Sequence, residues 1–200
     1  MKQNELVSSN VHAFAYVFAE AKTTLGDKFT VEVEQIIDEN EQYLTEVGSF
    51  HFAREKEYDI DFNSIIVVLS GGFIDVTKRG QGEYGFSPEL FVAGDVIFPD
   101  TIAGALRSLK NTKFIVLRGN RNWWAQTLEQ KALVLHFKET YYTRIKSRFL
   151  DFKFKDRVEA IKNVPIDLIM KMSYKTAMTY LGTTRRFGKE YLASIIKKNI

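Results

Sequence analysis

The stretch SIIVVLSGGFIDV, residues 64–76, decides the fold that this sequence predicts. β-Branched and aromatic residues dominate this stretch, which is typical of a β-strand. From Phe50 to about Leu117 the chain continues with similar short runs between Gly, Asn, Asp and Pro. This texture predicts a small antiparallel β-barrel or β-roll.

A glycine-rich motif follows that stretch and tests whether the chain binds phosphate. The motif GQGEYG, residues 80–85, has the G-x-G-x-x-G spacing of a nucleotide-binding loop. Such a loop must close a strand and open a helix, because the helix N-terminus holds the phosphate. Here Pro88 and the strand-like residues FVAGDVIF (91–98) come next, and no helix follows. We therefore predict a hairpin loop between two strands, with no phosphate site.

Helical patterns lie on both sides of the β-rich region. Apolar spacing predicts two N-terminal helices over residues 10–24 and 30–43. The longest stretch without Gly or Pro, Arg121 to Val164, predicts a long helix whose apolar residues exceed what one packed face needs. The part from Trp123 to Phe149 is a candidate dimer seam, and packing within one chain is the competing interpretation.

The residues after Pro165 predict a compact helical unit. Ser173 is a candidate N-cap of a short helix, Ala177 and Leu181 are its inward positions, and Gly182 ends it. Two short helices around a glycine-containing turn form a helix-turn-helix, which reads DNA through the N-terminal turns of its second helix. The candidate DNA-binding residues there are Thr184, Arg185, Arg186, Lys189 and Glu190.

The charge of the chain is divided unevenly. The net charge is +3 over 200 residues, but residues 1–143 carry 14 Lys and Arg against 20 Asp and Glu, a net charge of −6. Residues 144–200 carry 14 against 5, a net charge of +9. A basic C-terminal quarter is typical of a nucleic-acid-binding module, and a solvated basic face explains it equally well.

Several classes of function are excluded by composition. The chain has no cysteine, which excludes disulfides, thiol nucleophiles and cysteine-ligated metal centres. The three histidines have no metal-ligand spacing, and Asp59 and Asp61, on one side of an expected strand, have no recognisable catalytic partner. We therefore expect no enzyme activity, no catalytic or metal-binding residue and no cofactor. Residues 1–10 lack the layout of a secretory signal, so we expect a cytoplasmic protein without a membrane partner.

Three segments together resemble the Crp/Fnr family of bacterial transcription regulators: LSGGFIDV (69–76), FVAGDVIF (91–98) and AMTYLGTTRRFGKEYL (177–192). The last is similar to the family's helix-turn-helix at Ala177, Leu181-Gly182-Thr183-Thr184 and Leu192.

The resemblance implies an α+β fold in three parts. Residues 1–120 would form N-terminal helices and an antiparallel β-roll (a double-stranded β-helix), a sensor domain like those that bind cyclic nucleotides. Residues 121–150 would form a long connecting and dimerisation helix, and residues 151–200 a helix-turn-helix DNA-binding domain. It also implies a homodimer that binds double-stranded DNA, and it leaves the identity of any small effector unknown.

The sequence departs from the family pattern at two places. Members that bind cyclic AMP hold the ribose with a Gly-Glu and the cyclic phosphate with an Arg, whereas the corresponding residues here are Phe98-Pro99 and Thr101-Ile102-Ala103. Arg107 is expected in the next strand, on a solvated surface. The sequence ends at Ile200, so we expect the family's β-hairpin wing to be missing. The main prediction is a DNA-binding regulator that does not use cyclic AMP; the alternative is a ligand-sensing or protein-interaction relative that has lost DNA binding.

Overall fold

The computed structural model describes residues 11–38, 41–76, 78–79, 83–84, 90–102, 105–120, 123–148, 166–173, 175–177 and 193. The helices are α1 (Val11–Leu25), α2 (Val31–Asp38), α3 (Leu128–Arg148) and α4 (Ile166–Lys171). The strands are β1 (Leu44–Phe52), β2 (Glu57–Tyr58), β3 (Ser64–Ser70), β4 (Gly72–Val76), β5 (Lys78–Arg79), β6 (Glu83–Tyr84), β7 (Leu90–Val92), β8 (Val96–Ile97), β9 (Ala105–Ser108) and β10 (Thr112–Gly119).

The strands form the antiparallel roll that the sequence predicts. One sheet has the order β1-β10-β3-β8 and the other has the order β2-β9-β4-β7. β5 and β6 pair as a separate antiparallel hairpin, with Lys78 opposite Tyr84 and Arg79 opposite Glu83. A hairpin thus lies at GQGEYG, as predicted, but its second strand is Glu83–Tyr84 within the motif and not the predicted strand at 91–98. Residues 80–82 and 85 of the motif lie outside the described residues.

The two glycines of the opening stretch carry the chain from one sheet to the other. Gly71 has φ +72°, a conformation that residues with a Cβ rarely adopt. A Cβ on Gly72 would lie 2.4 Å from the carbonyl oxygen of Phe91, so only glycine lets β4 approach β7 this closely. The buried Thr112 hydroxyl holds the turn, because it accepts a hydrogen bond from the Gly72 amide at 3.2 Å.

β3 and β10 are buried on both faces, which explains their nearly continuous apolar sequences. Alternate residues point to opposite sides of a strand, so each strand supplies two hydrophobic cores. One set faces the helices: Ile65, Val67, Leu69, Ile115 and Leu117. The other set faces the second sheet: Ile66, Val68, Phe114 and Val116.

The space between the two sheets is filled by aromatic side chains, which we call the interior cluster: Phe50, Phe52, Tyr58, Phe73, Phe91 and Phe114. Phe114 is fully buried at its centre. Its ring centroid lies 5.0 Å from those of Phe52 and Phe73 and 5.3 Å from that of Phe50. The roll is therefore packed with its own side chains.

Helices cover the outer face of the first sheet. Val17 and Ala21 of α1 are buried there, at the spacing expected for the inward face of a helix. Trp123 is fully buried, and its indole Nε1 donates a hydrogen bond to the carbonyl oxygen of Asn63 at 2.9 Å. Within the described ranges, every helix is too short or too polar to cross a lipid bilayer.

The start of the long helix differs from the prediction. Residues 123–125 form a 3₁₀ turn, and α3 begins at Leu128 instead of Arg121. Thr127 and Gln130 cap it reciprocally: the Gln130 amide donates to Thr127 Oγ1 at 3.1 Å, and the Thr127 amide donates to Gln130 Oε1 at 2.9 Å. This is the capping box that Thr-x-x-Gln forms at a helix N-terminus.

Two other boundaries differ as well. β1 begins at Leu44, before the expected start of the β-rich region at Phe50. α2 ends at Asp38, and a separate 3₁₀ turn, Glu41–Tyr43, occupies the end of the segment predicted as helix. Helix propensity is a weak guide where a chain must turn into a buried strand.

Replacing Phe114 with alanine should destabilise the roll strongly, because it leaves a cavity among four aromatic rings. We expect a loss of about 3–5 kcal/mol in the free energy of unfolding, measured by urea denaturation. Phe62→Ala is the matched control, since Phe62 is 82% exposed and its loss should change stability by less than about 0.5 kcal/mol. Equal losses for the two variants would contradict a packed interior.

Candidate regulatory site

The predicted DNA-binding residues Thr184, Arg185, Arg186, Lys189 and Glu190 lie outside the described residues. Their roles stay predictions. From the C-terminal unit the structure describes α4, the segment that follows it to Ser173, the helical residues 175–177 and residue 193. These residues show how the unit begins and how it contacts the roll.

Ser173 caps a helix as predicted. Its Oγ accepts a hydrogen bond from the Thr176 amide at 3.2 Å, and its carbonyl oxygen accepts one from the Ala177 amide at 2.9 Å. Ala177 is 2% exposed, which confirms its predicted inward position. The first helix of the expected helix-turn-helix therefore begins at Ser173.

A carboxylate from the roll binds this helix start. Glu55 lies between β1 and β2, and its Oε1 accepts a hydrogen bond from the Ser173 amide. Its other oxygen, Oε2, accepts one from the Thr176 hydroxyl at 2.7 Å. A negative charge at a helix N-terminus is favourable because the first amides have no partner within the helix. We call this contact the Glu55 clamp.

A main-chain hydrogen bond lies close to the clamp in sequence. The amide of Lys110, between β9 and β10, donates to the carbonyl oxygen of Lys171 at 3.0 Å. Lys171 is the last residue of α4, and Ser173 follows two positions later. The roll thus holds the C-terminal unit at two successive points, on either side of the buried Met172.

Phe98 and Pro99, which the family resemblance matches to the ribose contact, are buried, and Phe98 packs toward α3. Phe98 is 1% exposed and belongs to the core between the first sheet and the helices. Its ring centroid lies 6.3 Å from that of Phe137 in α3. Pro99 begins a 3₁₀ turn, and Asp100 in that turn pairs with Lys138 of α3. This segment is a structural link between the roll and the long helix.

The position that corresponds to the phosphate contact is also apolar. Ile102 packs against the interior cluster. Burial raises the pKa of Tyr58, which lies in the same cluster, because the phenolate would lose its hydration there. An anion placed among these side chains would lose its hydration without gaining a charged partner from this position.

Arg107 corrects one expectation. It lies in β9, as predicted, but it is 6% exposed and so does not occupy a solvated surface. Its Nη2 is 2.6 Å from Oε1 of Glu57, the residue opposite it in β2. A buried guanidinium requires such a charged partner, and the sequence spacing of 50 residues between them gave no local signal.

Asp59 and Asp61 do not lie on a strand, contrary to the prediction. They occupy the connection between β2 and β3. Asp61 Oδ1 accepts a hydrogen bond from the Asn63 amide at 2.9 Å, an Asx turn that the chain uses to reverse direction. The histidines lie where predicted, in α1, β1 and α3, and the described residues contain no cluster of metal-ligating side chains.

One side of α3 is apolar and uncovered. Val134 is buried against the roll, whereas Leu128 is 78% and Leu135 is 64% exposed. The two leucines are seven residues apart, so they lie on the same side of the helix, with the exposed Ala132 between them. We call these three residues the α3 stripe.

Comparison with known proteins identifies the fold. No family model matches the sequence, and no curated protein matches it. Solved structures do match: FixK2 from Bradyrhizobium japonicum, at 14% identity and a TM-score of 0.58, covers 77% of this chain and 86% of its own. A CRP-family transcriptional regulator from Thermus thermophilus matches at 11% identity and a TM-score of 0.54, over 75% of this chain and 85% of its own.

A third structure of this fold is the c-di-GMP-responsive global regulator CLP from Xanthomonas campestris. It matches at 11% identity and a TM-score of 0.51, over 76% of this chain and 88% of its own. The chain therefore has the fold of the Crp/Fnr-type regulators. Identities this low show the fold alone.

Glu55→Gln should loosen the start of the C-terminal helix, because a neutral amide is a weaker acceptor than a carboxylate for the Ser173 amide. We expect the free energy of opening at the Ala177 amide, measured by hydrogen exchange, to fall by about 1–2 kcal/mol. Asp59→Asn, which removes an exposed charge from a nearby loop, should leave that value unchanged. Unaltered exchange in Glu55→Gln would show that the clamp does not hold the helix.

Proposed function

We propose that this protein is a DNA-binding transcriptional regulator of the Crp/Fnr type that does not use cyclic AMP. The observation that carries the proposal is the Ser173 helix start, capped by its own hydroxyl and clamped to a CRP-type roll by Glu55. The sequence runs from this helix directly into LGTTRRFGK, residues 181–189. A sensor fold held against the start of a basic helical unit is the arrangement that a regulator requires.

Electrostatics supports a nucleic-acid partner. The net charge of +9 over residues 144–200 attracts the phosphate backbone, while the acidic remainder of the chain does not. Arg185, Arg186 and Lys189 would present cations near the start of the second helix. A solvated basic face remains the competing explanation, and the experiment below separates the two.

The α3 stripe supports a homodimer. Leu128 and Leu135 are exposed on a helix whose other side is already packed against the roll. A second copy of α3 would cover them by the knobs-into-holes packing of two helices with apolar residues at this spacing. A two-fold dimer would present two recognition helices about 34 Å apart, so its DNA site should be an approximate palindrome.

The alternative function is a ligand-sensing or protein-interaction relative that has lost DNA binding. Gly188 favours it, because a glycine inside the recognition helix costs about 1 kcal/mol relative to alanine. We place the regulator first because three cations expected at one helix end are hard to explain as packing residues.

Cyclic AMP should not bind with useful affinity. The resemblance puts Phe98-Pro99 at the ribose contact and Thr101-Ile102-Ala103 at the phosphate contact, and the side chains of Phe98 and Ile102 are packed into the protein. Isothermal titration calorimetry with cyclic AMP should therefore show no saturable heat at micromolar concentration. Micromolar binding would mean that another cation of the roll has taken over the phosphate contact.

Leu135→Glu should dissociate the dimer, because it places a charge at the centre of the apolar seam. Sedimentation velocity should show the unmodified protein as a dimer and the variant as a monomer. His136→Glu, an exposed position next to Leu135 in sequence and so on a different side of α3, is the control and should remain dimeric. A monomeric unmodified protein, or a Leu135→Glu variant that stays dimeric, would favour α3 packing within one chain only.

Arg186→Ala should reduce sequence-specific DNA binding more than binding to random DNA. A bidentate contact between arginine and guanine contributes roughly 1–3 kcal/mol of discrimination. Lys198→Ala is the comparison, since Lys198 lies beyond the recognition helix and would contact only phosphates. It should weaken binding to all sequences alike and lower the salt slope by about one unit.

Fluorescence anisotropy on the preferred genomic site and on random DNA measures both effects. If both variants lost the same DNA affinity on both DNAs, the C-terminal unit would be only a basic surface that does not distinguish sequences. Complete absence of salt-sensitive binding by the unmodified dimer would instead support the alternative function.

A further inference from the structure

A cavity of about 320 Å³ lies beside the C-terminal unit and belongs to none of the sites described above. Its walls come from the end of α1, the turn between β3 and β4, the end of β7 and α4. The volume is at the small end of the range for small-molecule sites. Leu25, Leu69 and Leu168 are buried residues that supply apolar walls.

The charged groups of the cavity do not balance. Lys28 and Lys171 line it, and Asp167 is the one carboxylate among its described lining residues. The Lys171 side chain is 32% exposed, and its Nζ lies 3.9 Å from Asp167 Oδ2, too far for a hydrogen bond. The described lining residues thus carry a net charge of +1, from the partly buried Lys171, the exposed Lys28 and Asp167, which a single negative charge would neutralise.

We propose that this cavity binds a small aliphatic carboxylic acid, with its carboxylate at Lys28 and Lys171 and its hydrocarbon body against the leucines. The single excess positive charge favours a monoanion over a doubly charged phosphate. No arginine is among the described lining residues, which points the same way, because arginine is the side chain that binds phosphate in a bidentate manner. The hydroxyls of Thr24 and Ser70 supply further donors.

Occupation of the cavity would act on the C-terminal unit through α4. Lys171 contributes its side chain to the cavity and its carbonyl oxygen to the hydrogen bond with Lys110. The Glu55 clamp follows at Ser173. A ligand that contacts Lys171 therefore stabilises one position of the segment leading into the helix-turn-helix. This regulatory role rests on the proposed DNA-binding function, whereas the binding site itself does not.

The first experiment measures binding without DNA. The probes are 4-methylpentanoate, its neutral analogue 4-methylpentanamide and inorganic phosphate, each titrated to about 10 mM into full-length protein with methyl-labelled leucines. We expect only 4-methylpentanoate to give saturable shifts at Leu25, Leu69 and Leu168. Equal binding of the amide, tighter binding of phosphate, or no shift with the acid would overturn the proposal.

Variants locate the carboxylate contact. Lys171→Met keeps most of the aliphatic stem and should weaken 4-methylpentanoate binding by about fivefold or more. Lys28→Met should do the same from the opposite wall, and it keeps the test valid if Lys171→Met folds poorly. Lys113→Met, an exposed lysine of β10 outside the cavity, should bind the acid normally. Unchanged affinity in both cavity variants would contradict the proposed contact.

A separate measurement tests regulation. DNA affinity with and without 4-methylpentanoate should differ, and the difference should disappear in Lys171→Met. If the protein binds the acid but not DNA, the proposed DNA-binding function is wrong and the proposed acid-binding site stands. If the protein binds DNA but not the acid, the proposed acid-binding site is wrong and the proposed DNA-binding function stands.

Discussion

The burial of β3 and β10 on both faces is the constraint on which the rest of the structure depends. One face of this strand pair packs against the second sheet through Phe114 and its aromatic neighbours. The other face packs against α1 and Trp123. Because β3 and β10 belong to both cores, removing side chains from the roll interior would also disturb the packing of these strands against the helices. This explains why the interior is filled with rings and why the segment from Phe98 to Ile102 serves packing.

In the proposed regulator, a signal would act at the rim of the roll, because the interior is filled by side chains. The contacts with the C-terminal unit come from the Glu55 clamp and from the Lys110–Lys171 hydrogen bond. Both use groups on short connections at the rim of the roll, where small shifts are less costly than in the packed interior. A signal that reaches α4 or Glu55 would act on the helix at Ser173 without passing through the aromatic interior.

The features that the sequence could predict are those encoded by local patterns. The β-rich pattern of residues 64–76 and the N-cap at Ser173 follow from a few adjacent residues, and the structure confirms both. The turn at Gly71 that divides this stretch into β3 and β4 was not predicted. Thr127 and Gln130 form an equally local signal for the start of α3, which the predicted start at Arg121 overlooked. The burial of Arg107 could not be predicted, because it depends on Glu57 reaching it across the sheet. The role of Glu55 depends on a contact with residues 118 and 121 positions away, which no pattern in the sequence marks.

The most direct measurement is DNA binding by the full-length protein as a function of salt, in the presence and in the absence of cyclic AMP. A positively charged unit beneath a filled roll should bind duplex DNA with an affinity that falls steeply as salt rises. The two salt titrations should coincide, because the proposed regulator does not use cyclic AMP. DNA binding that appears only when cyclic AMP is added, or no DNA binding at any salt concentration, would contradict this account.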